Sequence, residues 1–232
     1  MNNDISIMIE LQHYWSSIIK IEAEKSRCEK SIITWETHLK NDRALVSKKE
    51  TLLKSLQIKL KDSEGALADI ESRLKKAEQR KDLLKSGREV EAHETEIIRL
   101  ENEKEKIEQE VLDFMEKSEA SESELESLKE KLEDTVLQTD SDTKSLNNKI
   151  VLLNKEIAEV KNKFDLLGES LSPQIKSRFL KLLHSKDGIA IAQLNGEICS
   201  HCNFQVPSSL VTAVSKRESA EICTNCGRFI YF

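Results

Sequence analysis

The chain has 232 residues, with 34% charged, 38% hydrophobic and only 4% aromatic side chains, and a formal charge of −6. So few aromatics beside so many charges exclude a single thick globular core, while the apolar fraction exceeds what a disordered chain carries. The acidic balance argues against a general nucleic-acid binder.

The opening MNNDISIMIELQ places an acid where a signal peptide needs basic residues and offers no small-residue cleavage site. No apolar run approaches the ~20 residues that span a bilayer. These features predict a cytoplasmic protein without membrane insertion, whose thiols stay reduced and favour metal over disulfide. From Leu11 a three-and-four spacing runs through Leu11, Tyr14, Ile18, Ile21, Lys25, Cys28, Ile32, Trp35, Leu39, Asp42, Val46 and Lys49. It continues through Leu53, Leu56, Leu60, Leu67, Ile70, Leu74 and Ala77. Held for nearly ten heptads without a slip, this is a coiled-coil seam; a helix on a globular core would drift off it. Cys28 lies on the seam and reads as a small buried apolar residue. Trp15 and Trp35 read as packing residues. Gly65 falls within the seam and reads as a tolerated surface glycine.

A second seam runs through Val90, Ile97, Leu100, Ile107, Val111, Phe114, Leu125, Leu128 and Leu132. After a four-residue slip it resumes at Val136, Leu146, Ile150, Leu153, Ile157, Val160, Phe164 and Leu167. The slip is a stutter, which unwinds a supercoil locally; with QTDSDTKS following, looser packing is expected there. Between the seams, Ser86-Gly87 is the predicted break, with glycine supplying the left-handed conformation that ends a helix. The fold class that results is mainly α: an antiparallel coiled-coil hairpin over residues 1–168, turning near 85–89, followed over 169–232 by a connecting helix and a four-cysteine zinc ribbon. Basic residues crowd 73–88 and acids crowd 89–103, signs that attract when the second helix folds back. The competing topology is a parallel dimer of one continuous helix. A homodimer of hairpins is also compatible with the pattern.

After Leu167 the seam stops at Gly168. Ser172-Pro173 reads as N-cap and first helical residue, with Ile175, Phe179, Leu182 and Leu183 on one face and Gly188 ending the helix. Ile189 and Ile191 with Asn195-Gly196 predict a strand and tight hairpin leading to the first cysteine pair. The pairs are Cys199-x2-Cys202 and, 20 residues on, Cys223-x2-Cys226. Two intervening residues let one tight turn aim two sulfurs at one ion. Backbone amides beyond each pair offset thiolate charge, and Gly227 removes bulk where the turn tightens. Two such knuckles make a tetrahedral all-sulfur site suited to one zinc ion. Four thiolates close the shell, so the ion is structural and the chain is expected not to be an enzyme; no HExxH or deaminase-like His/Glu signature is present. A redox role needs only one pair and a thioredoxin-like context that is missing. His201 reads as solvent-facing, with exchange into the ligand set as its alternative.

REVEA followed by ETEI, SPQIKSRFLKL, GIAIAQLNGEICSHCNFQVP and ICTNCGRFIYF together resemble the bacterial C4-type zinc-ribbon family with a long helical-hairpin body. The likeness spans nearly the whole chain. Phe179 stands where that family often has tyrosine, and His93 where leucine is common near the tip. The resemblance implies zinc on Cys199, Cys202, Cys223 and Cys226. It implies a regulatory adaptor or chaperone of flagellar or type III secretion systems that binds sigma-54, its holoenzyme, or export components. In one branch it implies binding of flagellin mRNA. The residues supply one physical handle for a protein partner: twelve acids against five bases from Glu101 to Lys131. The alternative, a nucleic-acid binder acting through the ribbon, has less to stand on. Residues 188–232 hold three bases (Lys216, Arg217, Arg228) and three acids (Glu197, Glu218, Glu221), whereas phosphate neutralisation needs a positive surface. Phe204, Phe229, Tyr231 and Phe232 are expected to form the ribbon's core rather than a stacking platform.

Overall fold

The structure, a computed structural model, describes residues 3–80, 86–216 and 219–232. Two long helices, α1 (Asn3–Arg80) and α2 (Gly87–Gly168), precede α3 (Pro173–Ser185), β1 (Ile191–Asn195), β2 (Ile198–Cys199), α4 (Ser208–Lys216) and β3 (Phe229–Tyr231). No described helix is long and apolar enough to cross a membrane. By contacts the chain forms two units, one of Met1–Ile33 with Thr143–Phe232 and one of Thr34–Asp142.

Within the Thr34–Asp142 unit α1 and α2 run antiparallel. Lys49 meets Glu124 at 2.6 Å and Lys129 meets Glu50 at 2.7 Å, while further along α1 Glu71 meets Lys104 at 3.1 Å, nearer the start of α2. Ile70, Ala77 and Leu100 bury their side chains between the helices, with Leu74, Ile97 and Ile107 packed against them. The helices therefore pair within one chain, which replaces the parallel-dimer alternative. His93 is half-buried, and its Nε2 lies 2.8 Å from the Ala77 carbonyl. Imidazole thus adds a polar tie across the helices where a leucine would only pack.

Of the turn predicted near 85–89, residue 85 lies outside the described residues, Ser86 is a bend and 87–89 already belong to α2. Gly87 does not end α1 in a left-handed conformation; it opens α2. Ser86 is the N-cap: its N–H donates to Glu89 Oε2 at 3.1 Å, and its carbonyl accepts from Val90 N at 3.1 Å. SGRE is half of a capping box, the glutamate reaching back to the cap amide.

The stutter has the expected consequence. No residue of α2 from 126 to 152 is buried, the longest such stretch on that helix. The two units divide between 33 and 34 on α1 and, within this stretch of α2, between 142 and 143. In the Thr34–Asp142 unit a cavity of about 390 Å³ lies between Trp35 and Asp134, Thr135, Gln138, Thr139 and Asp142. A four-residue slip takes apolar side chains off the seam, and short polar ones leave the space unfilled.

The other unit combines the first turns of α1, the last turns of α2 and everything C-terminal. Lys161 donates to Glu22 at 2.8 Å, and Lys149 meets Glu24 at 2.6 Å. Cys28 is buried with Ile21, Leu153 and Ile157, an apolar seam position as predicted. Its main core joins Ile5, Met8 and Leu11 of α1, Phe164 of α2, Phe179, Leu182 and Leu183 of α3, and Ile191 and Phe229. Phe179 is fully buried, so a phenol oxygen at this position would need a partner.

Candidate metal centre

The cysteine-bearing segment is a three-stranded sheet in the order β2-β1-β3. β1 and β2 are antiparallel, with Asn195 opposite Ile198, so Gly196-Glu197 form the two-residue turn; Gly196 takes φ +65°. β3 runs parallel to β1, with Ile191 opposite Phe229. Each knuckle closes in the same way. Cys199 N–H donates to the Phe204 carbonyl at 3.0 Å, and the Cys199 carbonyl accepts from Asn203 N at 2.9 Å. Cys223 N–H donates to the Arg228 carbonyl at 2.8 Å, and the Cys223 carbonyl accepts from Gly227 N at 2.9 Å. The residue after each second cysteine is left-handed, Asn203 at φ 54° and Gly227 at φ 74°. Glycine adopts that conformation without cost, and asparagine is among the few other residues that tolerate it. The structural equivalence of Asn203 and Gly227 was readable as Cys-x2-Cys-Asn beside Cys-x2-Cys-Gly.

The knuckles bring Cys199, Cys202, Cys223 and Cys226 together, with all four sulfurs within 4.8 Å of one another. Cys202 and Cys223 Sγ are 3.7 Å apart, and all five cysteines of the chain are free thiols. A disulfide needs ~2.05 Å. A tetrahedral site with ~2.3 Å metal–sulfur bonds has sulfur–sulfur edges of ~3.8 Å, so the separation suits one four-coordinate ion. His201 is exposed and outside the cluster, as expected.

Cys199 and Cys223 are buried, and burial pushes both thiols up, Cys199 to about 12. Opposing this, backbone groups of His201 and Cys202 hydrogen-bond Cys199, and those of Asn225 and Cys226 hydrogen-bond Cys223. At Cys202 burial also acts upward, but hydrogen bonds from the Phe204 backbone, Asn225, Cys199 and Cys223 outweigh it and bring the thiol to about 7. The chain thus supplies thiolate-directed donors where a cation needs deprotonated sulfur.

The 20 residues between pairs hold α4, an element the sequence reading did not assign. Pro207 precedes its first residue and accepts from Leu210 N at 2.9 Å and Val211 N at 3.1 Å. Val214 of α4 packs with Ala192, Leu194, Cys199, Val206, Cys223 and Ile230. This small core encloses two of the four sulfurs. Phe229 is buried, but Phe204 and Phe232 are exposed at 42% and 38%, which corrects the expectation that all four aromatics fill the ribbon's core.

Two side chains beyond the cysteines fix the ribbon against its neighbours. Arg228, 4% exposed, donates from Nε to the Ile189 carbonyl at 2.9 Å and from Nη2 to the Lys186 carbonyl at 3.1 Å. Gln12 of α1 donates from Nε2 to the Gly188 carbonyl at 2.6 Å and accepts from Ala190 N at 2.7 Å. The Gln12 amide pairs with the 188–190 backbone as a neighbouring strand would. The segment after α3 is therefore clasped from both sides. Arg228 was visible in CGR; nothing local marks Gln12, whose partners lie 176 and 178 residues away.

Three solved structures share this fold. CT398 from Chlamydia trachomatis matches with a TM-score of 0.88 at 22% identity, covering 99% of this chain and 97% of its own. HP0958 from Helicobacter pylori matches with a TM-score of 0.64 at 16% identity, covering 99% and 97%. A Mycobacterium smegmatis protein matches with a TM-score of 0.55 at 17% identity, covering 97% and 98%. No protein-family model matches the sequence, and no curated protein sequence matches it significantly. The likeness supports a helical protein with a C-terminal zinc-ribbon-like motif.

Proposed function

We propose that the chain is a non-catalytic adaptor or chaperone that binds sigma-54, its holoenzyme, or components of a flagellar or type III secretion export apparatus. One structural zinc ion on Cys199, Cys202, Cys223 and Cys226 completes it. The identity of the ion rests on the donor set: four sulfurs within 4.8 Å of one another, two of them on buried cysteines, favour zinc among common intracellular divalent ions. Bound there, zinc cross-links the two knuckles and leaves no position open for water or substrate. The protein's own part is to hold the sulfurs, to direct backbone donors at them, and to clasp the ribbon through Arg228 and Gln12.

The observation that carries the adaptor reading is the near full-length resemblance of the quoted phrases to that family, on a chain whose long helices expose charged faces. In the acidic stretch Glu122 is bonded to Gln57 and Glu124 to Lys49. Glu119 and Glu126 are exposed and have no partner among the described residues, leaving them available to a basic partner. The second reading, nucleic-acid binding through the ribbon, draws on exposed Phe204 and Phe232 as stacking groups. Against it, Arg228 is buried on two carbonyls and does not reach a phosphate.

Affinity capture on the full-length protein in its native cells, with and without nuclease, separates the two. The adaptor reading expects nuclease-resistant enrichment of sigma-54, polymerase subunits or export components. Enrichment of nucleic acid alone, with every protein lost on nuclease treatment, rejects it.

A further inference from the structure

Most cations on the long helices with a defined partner face a carboxylate; Lys49, Lys104, Lys129, Lys149 and Lys161 all do. Three on α3 differ. Arg178, Lys181 and Lys186 are exposed, and none has a carboxylate partner among the described residues. They line one groove of about 680 Å³ between α3 and the second knuckle, which also includes Cys226 and Gly227. Positions 178, 181, 182 and 185 recur at three- and four-residue spacing, so one face of α3 supplies most of the wall. The Arg178 guanidinium is steadied there: its carbon lies 6.0 Å from the centre of the Phe229 ring, and Nη2 is 3.4 Å from the Gly227 carbonyl. Leu182, drawn into the core, closes the groove floor, and Ser177 supplies a hydroxyl. No described acid and no aromatic side chain lines the groove.

We infer that this groove docks an acidic peptide segment of a partner protein, with aspartate or glutamate side chains on Arg178, Lys181 and Lys186. The inference rests on the adaptor reading and adds the chemistry of one contact. Charge complementarity selects an anion, since three unpaired cations converge on a protein of net charge −6. The lining selects peptide over nucleic acid. Single-stranded nucleic acid takes much of its affinity from stacking on aromatic faces, and the groove has none, because Phe179 and Phe229 turn inward as core. An acidic peptide needs cations for its carboxylates and a hydrogen-bonding wall, which Gln174, Ser177 and Ser185 supply beside the three cations. A four-thiolate zinc site beside the groove carries −2, which the three cations exceed.

The test uses zinc-loaded full-length protein and a fluorescent 12-residue peptide of glutamates and aspartates with two central leucines. Its glutamine and asparagine counterpart and a 12-nucleotide oligouridylate serve as comparisons. The acidic peptide is expected to bind, more weakly as salt rises, and the neutral counterpart not to bind. K181E/K186E is expected to lose about tenfold or more in affinity, and K181Q/K186Q an intermediate amount, since each exposed charge pair contributes a modest share. Both variants change only exposed side chains, so zinc content and helical circular dichroism should hold; if K181E/K186E fails to fold, the glutamine variant decides. Unchanged peptide affinity in the folded variants overturns the groove, as does equal binding of the neutral peptide. Oligouridylate binding that depends on Lys181 and Lys186 while the acidic peptide fails overturns it in favour of nucleic acid. A change in self-association alone overturns it in favour of a second copy. Because the probe contains neither sigma-54 nor an export component, its failure overturns the groove and leaves the adaptor reading to its own capture experiment.

Discussion

Gly188 is the position where the smallest change should do measurable damage. It sits at φ +75°, and a Cβ built there would lie 2.8 Å from Ile19 Cδ1, 3.0 Å from Trp15 Nε1 and 3.3 Å from Trp15 Cδ1. Gly188→Ala forces an L side chain into the left-handed region, at ~1–2 kcal/mol. The Ile19 methyl ends a side chain that is 43% exposed and can rotate away. Trp15 cannot move so easily: its ring centre lies 5.8 Å from that of Phe164 and 5.1 Å, edge-on, from that of His184. Displacing it adds about 1 kcal/mol. Alanine also restricts the unfolded chain, which returns ~0.4–1 kcal/mol. The net expectation is a loss of about 2 kcal/mol. With Trp35→Phe as background, Trp15 becomes the only tryptophan, and urea denaturation followed by its fluorescence reports on the unit that contains it. A shift within about 0.5 kcal/mol, or a gain in stability, would refute the argument that close approach and backbone hand both require glycine here.

The metal should be present at one zinc per chain, and Cys223→Ser should abolish it. The ribbon core around Val214 and Ile230 should then melt while the helical circular dichroism of α1 and α2 persists; a variant that keeps both zinc and ribbon would contradict the four-sulfur assignment. Gln12→Leu removes two hydrogen bonds to the 188–190 backbone and leaves a buried donor unpaired, for an expected loss of about 2–3 kcal/mol. Amide exchange at Ala190 measures it, and unchanged protection there would mean the clasp contributes nothing. Gly65→Ala should go the other way. Gly65 is exposed within α1, has no left-handed φ, and a Cβ there meets nothing within 4 Å, so a thermal melt should show a gain of ~0.5–1 kcal/mol; a loss would count against an ordinary helical geometry at that point.

The heptad seams carried most of the helical structure because their determinant is periodic and local. From Leu11 to Ala77 the apolar seam positions lie buried or half-buried, and on α2 the polar slip after Leu132 falls within the longest run without a buried side chain. The cysteines were legible for a similar reason: a two-residue gap dictates the turn that aims both sulfurs. What escaped depended on partners distant in sequence or on elements too short for periodicity to show. Gln12 looks like any polar residue beside a seam until the 188–190 backbone reaches it. α4 spans nine residues, too few to separate helix from loop by pattern. Gly87 was misplaced because a glycine between helices is read as the end of the first one. Here the capping glutamate at 89 makes Ser86 the start of the second, with Gly87 inside it. The core shared by Ile5, Met8, Phe164, Phe179 and Phe229 was likewise hidden, since a seam predicts its opposite helix but not the ribbon packed on its end.

The central claim is that this chain is a protein-binding adaptor, and titration of zinc-loaded full-length protein with purified sigma-54 tests it most directly. The account predicts a saturable complex that weakens as salt rises, because exposed charges are screened beyond ~8 Å at physiological ionic strength. It also predicts weaker binding by E119K/E126K at unchanged helicity and zinc content. Absence of a complex with sigma-54, and with its holoenzyme and export components titrated in the same way, would contradict it.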